Sequence, residues 1–236
     1  SDYKVYILSL ENPPDISGAK IIRYKTERDL LIGFAKFIRK QNAYIMLGHN
    51  ILGFDWDYMI KRAQLAENDC YSEFSKFSKI IGEEADATKL SWNSKAYNNM
   101  VFKYMNPVGR INFDLMVEAE RQGYRLKSFA LNSLGEKFLG EYKKELSYRH
   151  QFMIYHIIKK SRRTNSLKTC KKIIRKTVPI DDYIDEDMNF NELGLWCNKL
   201  LSSTRLTFRQ IIKEGHTLLL EYLKQDVILP LKIFHK

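Results

Sequence analysis

Cysteine is scarce in this chain: Cys70, Cys170 and Cys197 are its only thiols, and their scatter excludes both a zinc-ligand spacing and a disulfide framework. Reduced thiols in an intracellular protein are the expectation. Long apolar runs are missing too. Nothing approaches the roughly 20 consecutive apolar residues of a membrane span, and the opening residues lack the charged-then-apolar pattern of a secretory leader. No membrane partner is expected. Acid is absent altogether between residues 159 and 176, where nine bases fall: Lys159, Lys160, Arg162, Arg163, Lys168, Lys171, Lys172, Arg175 and Lys176. The remainder of the chain holds 30 basic against 28 acidic residues, so most of the net charge of +11 sits in this block. Base is absent in turn from the block that follows, which carries Asp181, Asp182, Asp185, Glu186, Asp187 and Glu192. A solvated face, a contact with a phosphate backbone and a docking surface for a partner all remain open for these blocks.

What is present is enough for a substantial core, since 44% of 236 residues are apolar. Residues 4–10 and 21–24 read as short strands, separated by the Asn12-Pro13-Pro14 turn. Thr26 offers a helix N-cap with Glu27 and Asp29 in the first turn, and Leu30, Leu31, Phe34, Phe37 and Ile38 repeat at helical spacing through 27–41. Tyr44 to Leu47 suits a buried strand, and helical period returns after Asp55. The order strand, helix, strand, loop, helix is the grammar of an α/β domain with a mixed sheet. Residues 68–100 have weak periodicity and read as an excursion between core elements. The core resumes with a strand ending at Asp114, then helices at 115–120 and 126–139, with Gly140 as a stop. Residues 148–204 lack a clean core pattern and are expected to be helical in part, at 150–160 and 192–201. A last helix is expected over 207–235, with a local kink at Pro230.

Two carboxylate motifs carry the chemistry. The first, His49-Asn50-Ile51-Leu52-Gly53-Phe54-Asp55, places Asp55 after a strand and a Gly-containing turn, at the opening of a helix. Asn50 can hydrogen-bond across that turn, and Phe54 presents a ring for an unstacked base. An isolated N-x-x-x-F-D would read as an ordinary helix cap. The second, Tyr222-Leu223-Lys224-Gln225-Asp226, puts Tyr222 and Asp226 four residues apart, on one face of the last helix. Hydrolysis of a phosphodiester by two metal ions needs several carboxylates converging on ions about 3.5–4 Å apart, and Mg²⁺ or Mn²⁺ suits such hard oxygen ligands.

Leu47-Gly48-His49-Asn50-Ile51-Leu52-Gly53-Phe54-Asp55 resembles the Gly-Tyr-Asn-Ile-x-x-Phe-Asp motif of the 3′→5′ proofreading exonuclease domain of family B DNA polymerases, with His49 where Tyr is common. Glu221 to Leu231 resembles the family's Tyr-Cys-x-x-Asp-x-x-Leu-Pro-Leu. The resemblance covers about residues 5–67, 107–147 and 216–236, roughly half the chain. It implies a ribonuclease H-like fold: a mixed sheet flanked by helices, with helical insertions at about 68–105 and 148–210. It further implies two Mg²⁺ or Mn²⁺ ions, with Asp55 and Asp226 as ligands and Tyr222 orienting the attacking water. Gly109-Arg110-Ile111-Asn112-Phe113-Asp114-Leu115 resembles the family's Gly-Arg-x-x-x-Asp-Leu, and Asp114 either assists the site or caps the helix after it. Leu126 to Leu134 resembles the segment that touches the single-stranded primer end, which implies DNA contacts for Leu131 and Asn132, while Ala130 stands where a hydroxyl is usual. Lys143 either meets the scissile phosphate or is solvated.

One family signature, an Asp-x-Glu pair on an early strand, occurs nowhere in the 236 residues. Residues 1–236 therefore read as a single but partial exonuclease domain without its first strands. That favours a piece of a longer polymerase, inactive alone, over a degenerate nuclease. DNA, the rest of the polymerase chain and a processivity factor are the implied partners, in the nucleus or at a viral replication site. The insertions suggest a large double-stranded DNA virus. A non-catalytic single-stranded DNA-binding or scaffold module that keeps the fold is the alternative. An unrelated basic α/β protein is the third reading.

Overall fold

The computed structural model describes residues 3–10, 12–94, 98–142, 146, 148–164, 167–177, 192–202 and 208–236. They form a mixed α/β structure that divides into two compact units. One comprises residues 1–12, 21–143 and 227–236; the other comprises 13–20 and 144–226.

In the first unit, strand β1 (Val5–Ser9) pairs with β2 (Ala19–Arg23), and the Tyr24 N–H donates to Ser9 O at 2.8 Å. Helix α1 (Glu27–Gln41) starts where Thr26 Oγ1 accepts the Asp29 N–H at 3.1 Å, with Glu27 and Asp29 complementing the helix dipole. It ends at Asn42, whose left-handed backbone (φ 53°) turns its N–H back onto the carbonyls of Ile38 and Arg39. Strand β3 (Ile45–Gly48) then runs parallel to β6 (Ile111–Asp114), in the register Ile45 to Ile111 and Gly48 to Asp114. Two parallel strands thus finish side by side. The carboxyl end of such a pair is where α/β folds place ligands.

After β3 come a π-helical turn at Ile51–Asp55, helix α2 (Trp56–Gln64) and the short α3 (Tyr71–Phe74). Residues 68–105, expected as a helical insertion between core elements, hold beyond α3 a long antiparallel hairpin instead, β4 (Asp86–Ser94) with β5 (Asn98–Asn106). They also supply core: Phe74, Phe77 and Met105 are fully buried beside Trp56, Ile60 and Leu31. These anchors are large aromatic and thioether groups in irregular spacing, so no period betrays them. Trp56 stacks on Phe77 with centroids 5.7 Å apart, and Phe34 meets both edge-on.

Helix α4 (Leu115–Arg121) follows β6, and α5 (Leu131–Leu139) ends at Gly140. The latter starts five residues later than periodicity suggests. Ser128 Oγ accepts the Ala130 N–H at 3.1 Å, holding the approach in a non-helical turn. Among the described residues the strands pair two by two, as three small sheets.

The second unit is helical: α6 (Tyr148–Thr164), α7 (Leu167–Thr177), α8 (Glu192–Ser202) and the larger part of α9 (Phe208–Phe234). Its core joins Met153, Ile154, Ile157, Ile158, Cys170, Ile174, Trp196, Leu200 and Ile211. Gly215 permits the close approach of α9, because a Cβ there would lie 3.0 Å from the Trp196 ring and 3.2 Å from Ile154 and Ile158. Cys197 is buried here, which pushes its thiol up to about 12. Helix α7 was not expected from the sequence. Cys170, Ile173 and Ile174 do fall at helical spacing, but three apolar positions amid five cations read poorly as a core face. The last eight residues of α9 belong to the first unit, where Leu229 and Ile233 pack with Leu115, Leu131 and Leu134. Pro230 lies inside this helix.

Candidate functional site

The first motif occupies the turn leaving β3. A parallel strand that ends at Gly48 must redirect its chain before α2 can start, and Asn50 does so in the left-handed region (φ 60°, ψ 26°). The turn then closes with a wide π-type bond pattern, which leaves its first N–H groups without partners of their own. Asp114 supplies them. Its Oδ1 accepts the Asn50 N–H at 2.8 Å and its Oδ2 accepts the Leu52 N–H at 3.0 Å. The same Oδ1 also accepts the Met116 N–H at 3.0 Å, capping α4. Asp114 is only 5% exposed, and three charge-assisted bonds offset the loss of its hydration. One buried carboxylate therefore caps a helix and clamps the turn that carries Asp55.

Three further contacts fix the same turn. His49 Nε2 lies 2.8 Å from the carbonyl of Phe129, so this nitrogen carries the proton and donates. That bond ties the first motif to the segment entering α5. Downstream, the buried Trp56 donates Nε1–H to Asn112 Oδ1 at 3.0 Å, and Asn112 Nδ2 donates to Met105 O at 2.8 Å. At Gly53 a Cβ would lie 2.4 Å from Asn50 Oδ1, so the Asn50 amide occupies the space a side chain would need. The bond across the turn expected of Asn50 comes from its backbone N–H rather than from that amide.

Beneath the turn, Arg110 is buried at 6% exposure and donates Nε–H to Phe77 O at 2.7 Å and its guanidinium to Ala43 O. Burial lowers its pKa. The two carbonyl dipoles help keep the cation, which pins the starts of β3 and β6 together.

The aspartates two residues apart in this motif have different surroundings. Asp57 is engaged by Lys61 at 2.5 Å and Lys103 at 3.0 Å, and the Lys61 and Lys103 hydrogen bonds hold its carboxyl below the usual range. Asp55 is exposed at the junction of the π-turn and α2. Beside it the Phe54 ring is 63% exposed and stacks nearly parallel on Tyr58 (centroids 6.3 Å, 9°), itself 56% exposed. Two exposed stacked rings form a flat apolar platform suited to a base. Tyr58 was not singled out from the sequence; an aromatic pair at i and i+4 beginning at Phe54 was the available signal.

Tyr222 and Asp226 lie half-buried on α9 in the second unit. Between them Lys224 donates to Ser17 O at 2.9 Å, anchoring this part of the helix to the 13–20 segment. Leu131 is buried at 8% exposure in the core around Leu134, so it supports the primer-side segment from within. Asn132 is half-buried at the second residue of α5. Lys143 lies outside the described residues. Asp55 and Asp226 are hard oxygen donors of the type Mg²⁺ and Mn²⁺ take. Among the described residues, however, no three His, Cys, Asp or Glu side chains gather as a metal site. Two carboxylates are too few for two ions.

The family model of the DNA polymerase family B exonuclease domain matches residues 3–134, more than half of the chain. DNA polymerase 120R of Invertebrate iridescent virus 3 is 32% identical over 151 residues, covering 64% of this chain and 13% of the relative. The DNA polymerase delta catalytic subunit of Bos taurus is 32% identical over 141 residues, covering 60% of this chain and 12% of its own length. That of Candida albicans is 26% identical over 224 residues, covering 95% of this chain and 21% of its own length. The chain thus spans between 12% and 21% of the length of these relatives. With the clamped turn, the parallel strand ends and the match over residues 3–134 taken together, the chain belongs to the exonuclease domain family of family B DNA polymerases.

Proposed function

We propose that this chain is the proofreading 3′→5′ exonuclease part of a family B DNA polymerase, with the ribonuclease H-like architecture of that family. Its substrate is the frayed, single-stranded 3′ end of a DNA primer. The observation that carries this reading is the Asp114 clamp: two backbone N–H bonds, from Asn50 and Leu52, to one buried carboxylate fix the turn on which Asp55 is exposed, at the carboxyl end of β3. Only a turn whose geometry matters warrants such directed bonding.

Asp55 and Asp226 are the ligands this chain offers to Mg²⁺ or Mn²⁺, which when bound lower the pKa of the attacking water and stabilise the leaving oxygen. Tyr222 orients that water. The terminal base stacks on Phe54 and Tyr58, Asn132 and Lys143 meet the primer backbone, and Leu131 shapes the segment that presents Asn132. A complete cage needs the Asp-x-Glu pair that these 236 residues lack. The isolated chain therefore binds a primer end without turning it over. The polymerase chain that completes the cage, and a processivity factor acting through it, are the proposed partners.

The test is release of 3′ nucleotides from a frayed primer by the full-length protein. Asp55→Ala and Asp226→Ala should each reduce it to background, with the isolated chain inactive in Mg²⁺ or Mn²⁺. Near-normal release in both variants would overturn the assignment and favour a non-catalytic DNA-binding module.

A further inference from the structure

Helix α7 presents a face made only of cations. Lys168, Lys172, Arg175 and Lys176 fall at i, i+4, i+7 and i+8, and all four are exposed. The opposite side is fixed: Cys170 is fully buried and Ile174 is 1% exposed in the core of the second unit. The helix therefore cannot rotate its charges elsewhere. Eight residues of rise make the stripe about 12 Å long.

Its charge pattern runs against local stability. Lys168 with Lys172, Lys172 with Lys176, and Lys171 with Arg175 are like charges four apart, an arrangement that weakens a helix. Elsewhere the chain pairs such positions with acids, as in Lys61 with Asp57 and Arg121 with Glu118. Among the described residues, no ion pair engages any of the four exposed cations of α7. A ligand with regularly repeated negative charge would offset the repulsion.

We infer that this stripe binds the phosphodiester backbone of DNA, outside the nuclease centre. A phosphate backbone repeats its charge along a line, as the stripe does; duplex DNA carries one charge per about 1.7 Å of axis, enough for four cations over this length. A membrane surface is disfavoured by the same geometry. An interfacial helix inserts its apolar face, and here that face is the buried one holding Cys170 and Ile174. The inference rests on the family's DNA substrate and not on Asp55 or Asp226.

The test is binding of the full chain, in EDTA, to labelled single-stranded and duplex DNA by fluorescence anisotropy across a salt series. Parent protein is compared with the combined Lys168→Gln, Lys172→Gln, Arg175→Gln and Lys176→Gln variant. Each lost contact should flatten the plot of log K against log salt by about 0.7 on single strands or about 0.9 on duplex. Four contacts thus predict a slope shallower by about 2.8 on single strands or about 3.6 on duplex. Replacing the three lysines by arginine should leave the slope unchanged, with helix content by circular dichroism equal in all proteins. Equal slope and affinity in the parent and the glutamine variant would overturn the inference. So would equal losses in the glutamine and arginine variants. Binding in EDTA is read without nucleotide release, so failure of the nuclease reading and failure of this one remain distinguishable.

Discussion

The two compact units are held together by different physics. The first adds, to a buried core of Ile60, Phe74, Phe77 and Met105, side chains that bond to backbone: Asp114 to three N–H groups, Arg110 to the carbonyls of Phe77 and Ala43, and Arg28 to those of Asn68 and Asp69. Glu27 adds bonds to Arg62 and Asn68. The second buries Ile154, Ile157, Cys170 and Leu200 at 0% exposure and exposes the cations of α7. Helices that only need to pack can be held by non-directional burial. A π-turn flanked by a left-handed residue cannot, because its unpaired N–H and C=O groups must be met one by one. Asp114 and His49 direct such bonds at the turn that carries Asp55, while Arg110, Arg28 and Glu27 fix other segments of the unit.

That contrast can be broken from either side. The largest effect on stability is expected from Leu200→Ala, which opens a cavity in the second unit and should cost about 3–5 kcal/mol. Urea unfolding with hydrogen exchange should show the loss in α6 to α8 while β3 and β6 stay protected. Next comes Asp114→Ala, which strands three part-buried N–H groups and should cost about 3 kcal/mol, this time exposing the 48–55 turn. Asp114→Asn keeps an acceptor for some of these bonds and should cost about half as much. Unlike Leu200→Ala, it should also impair 3′ nucleotide release.

Acid should separate the units more gently. Burial lowers the pKa of His150 in the second unit, so its neutral form stabilises the fold above the unfolded value of about 6.5. That contribution is lost as pH falls through the lower folded value. Glu27 in the first unit is lowered by its Arg62 hydrogen bond, and its contribution is lost only as pH falls below the unfolded value of about 4.3 and through the folded one. Exchange at about pH 5.5 should therefore loosen α6 before α1, and a His150→Gln variant should lose that order. Smallest of all, Arg121→Ala removes an exposed ion pair with Glu118 and should leave the urea midpoint unchanged.

Local chemistry was the legible part of the sequence. Thr26 with Glu27 and Asp29 announced α1, Gly140 marked the end of α5, and the long stripe from Leu220 to Phe234 placed α9 within a residue at each end. What stayed hidden depends on distant partners. Asp114 reads equally as an accessory acid or a cap until Gly48 is set beside it by the parallel register, which brings Asn50 and Leu52 within reach. Leu131 reads as a DNA contact until its burial against Leu134 and Leu229 is seen. The β4–β5 hairpin was missed because its strands carry mixed polarity and, among the side chains described, bury only Phe102 and Met105. Helix α7 hid behind its lysines.

Asp55 and Asp57 provide the most direct test of the claim that the clamped turn exists to present one catalytic carboxylate. They lie two residues apart at the start of one helix, but Asp57 is taken up by Lys61 and Lys103. Release of the terminal nucleotide from a frayed primer should be measured for the full-length protein carrying Asp55→Ala or Asp57→Ala. The account predicts release at background for Asp55→Ala and within about twofold of the parent for Asp57→Ala, whose carboxylate is engaged by Lys61 and Lys103. Equal release by the two variants would contradict it.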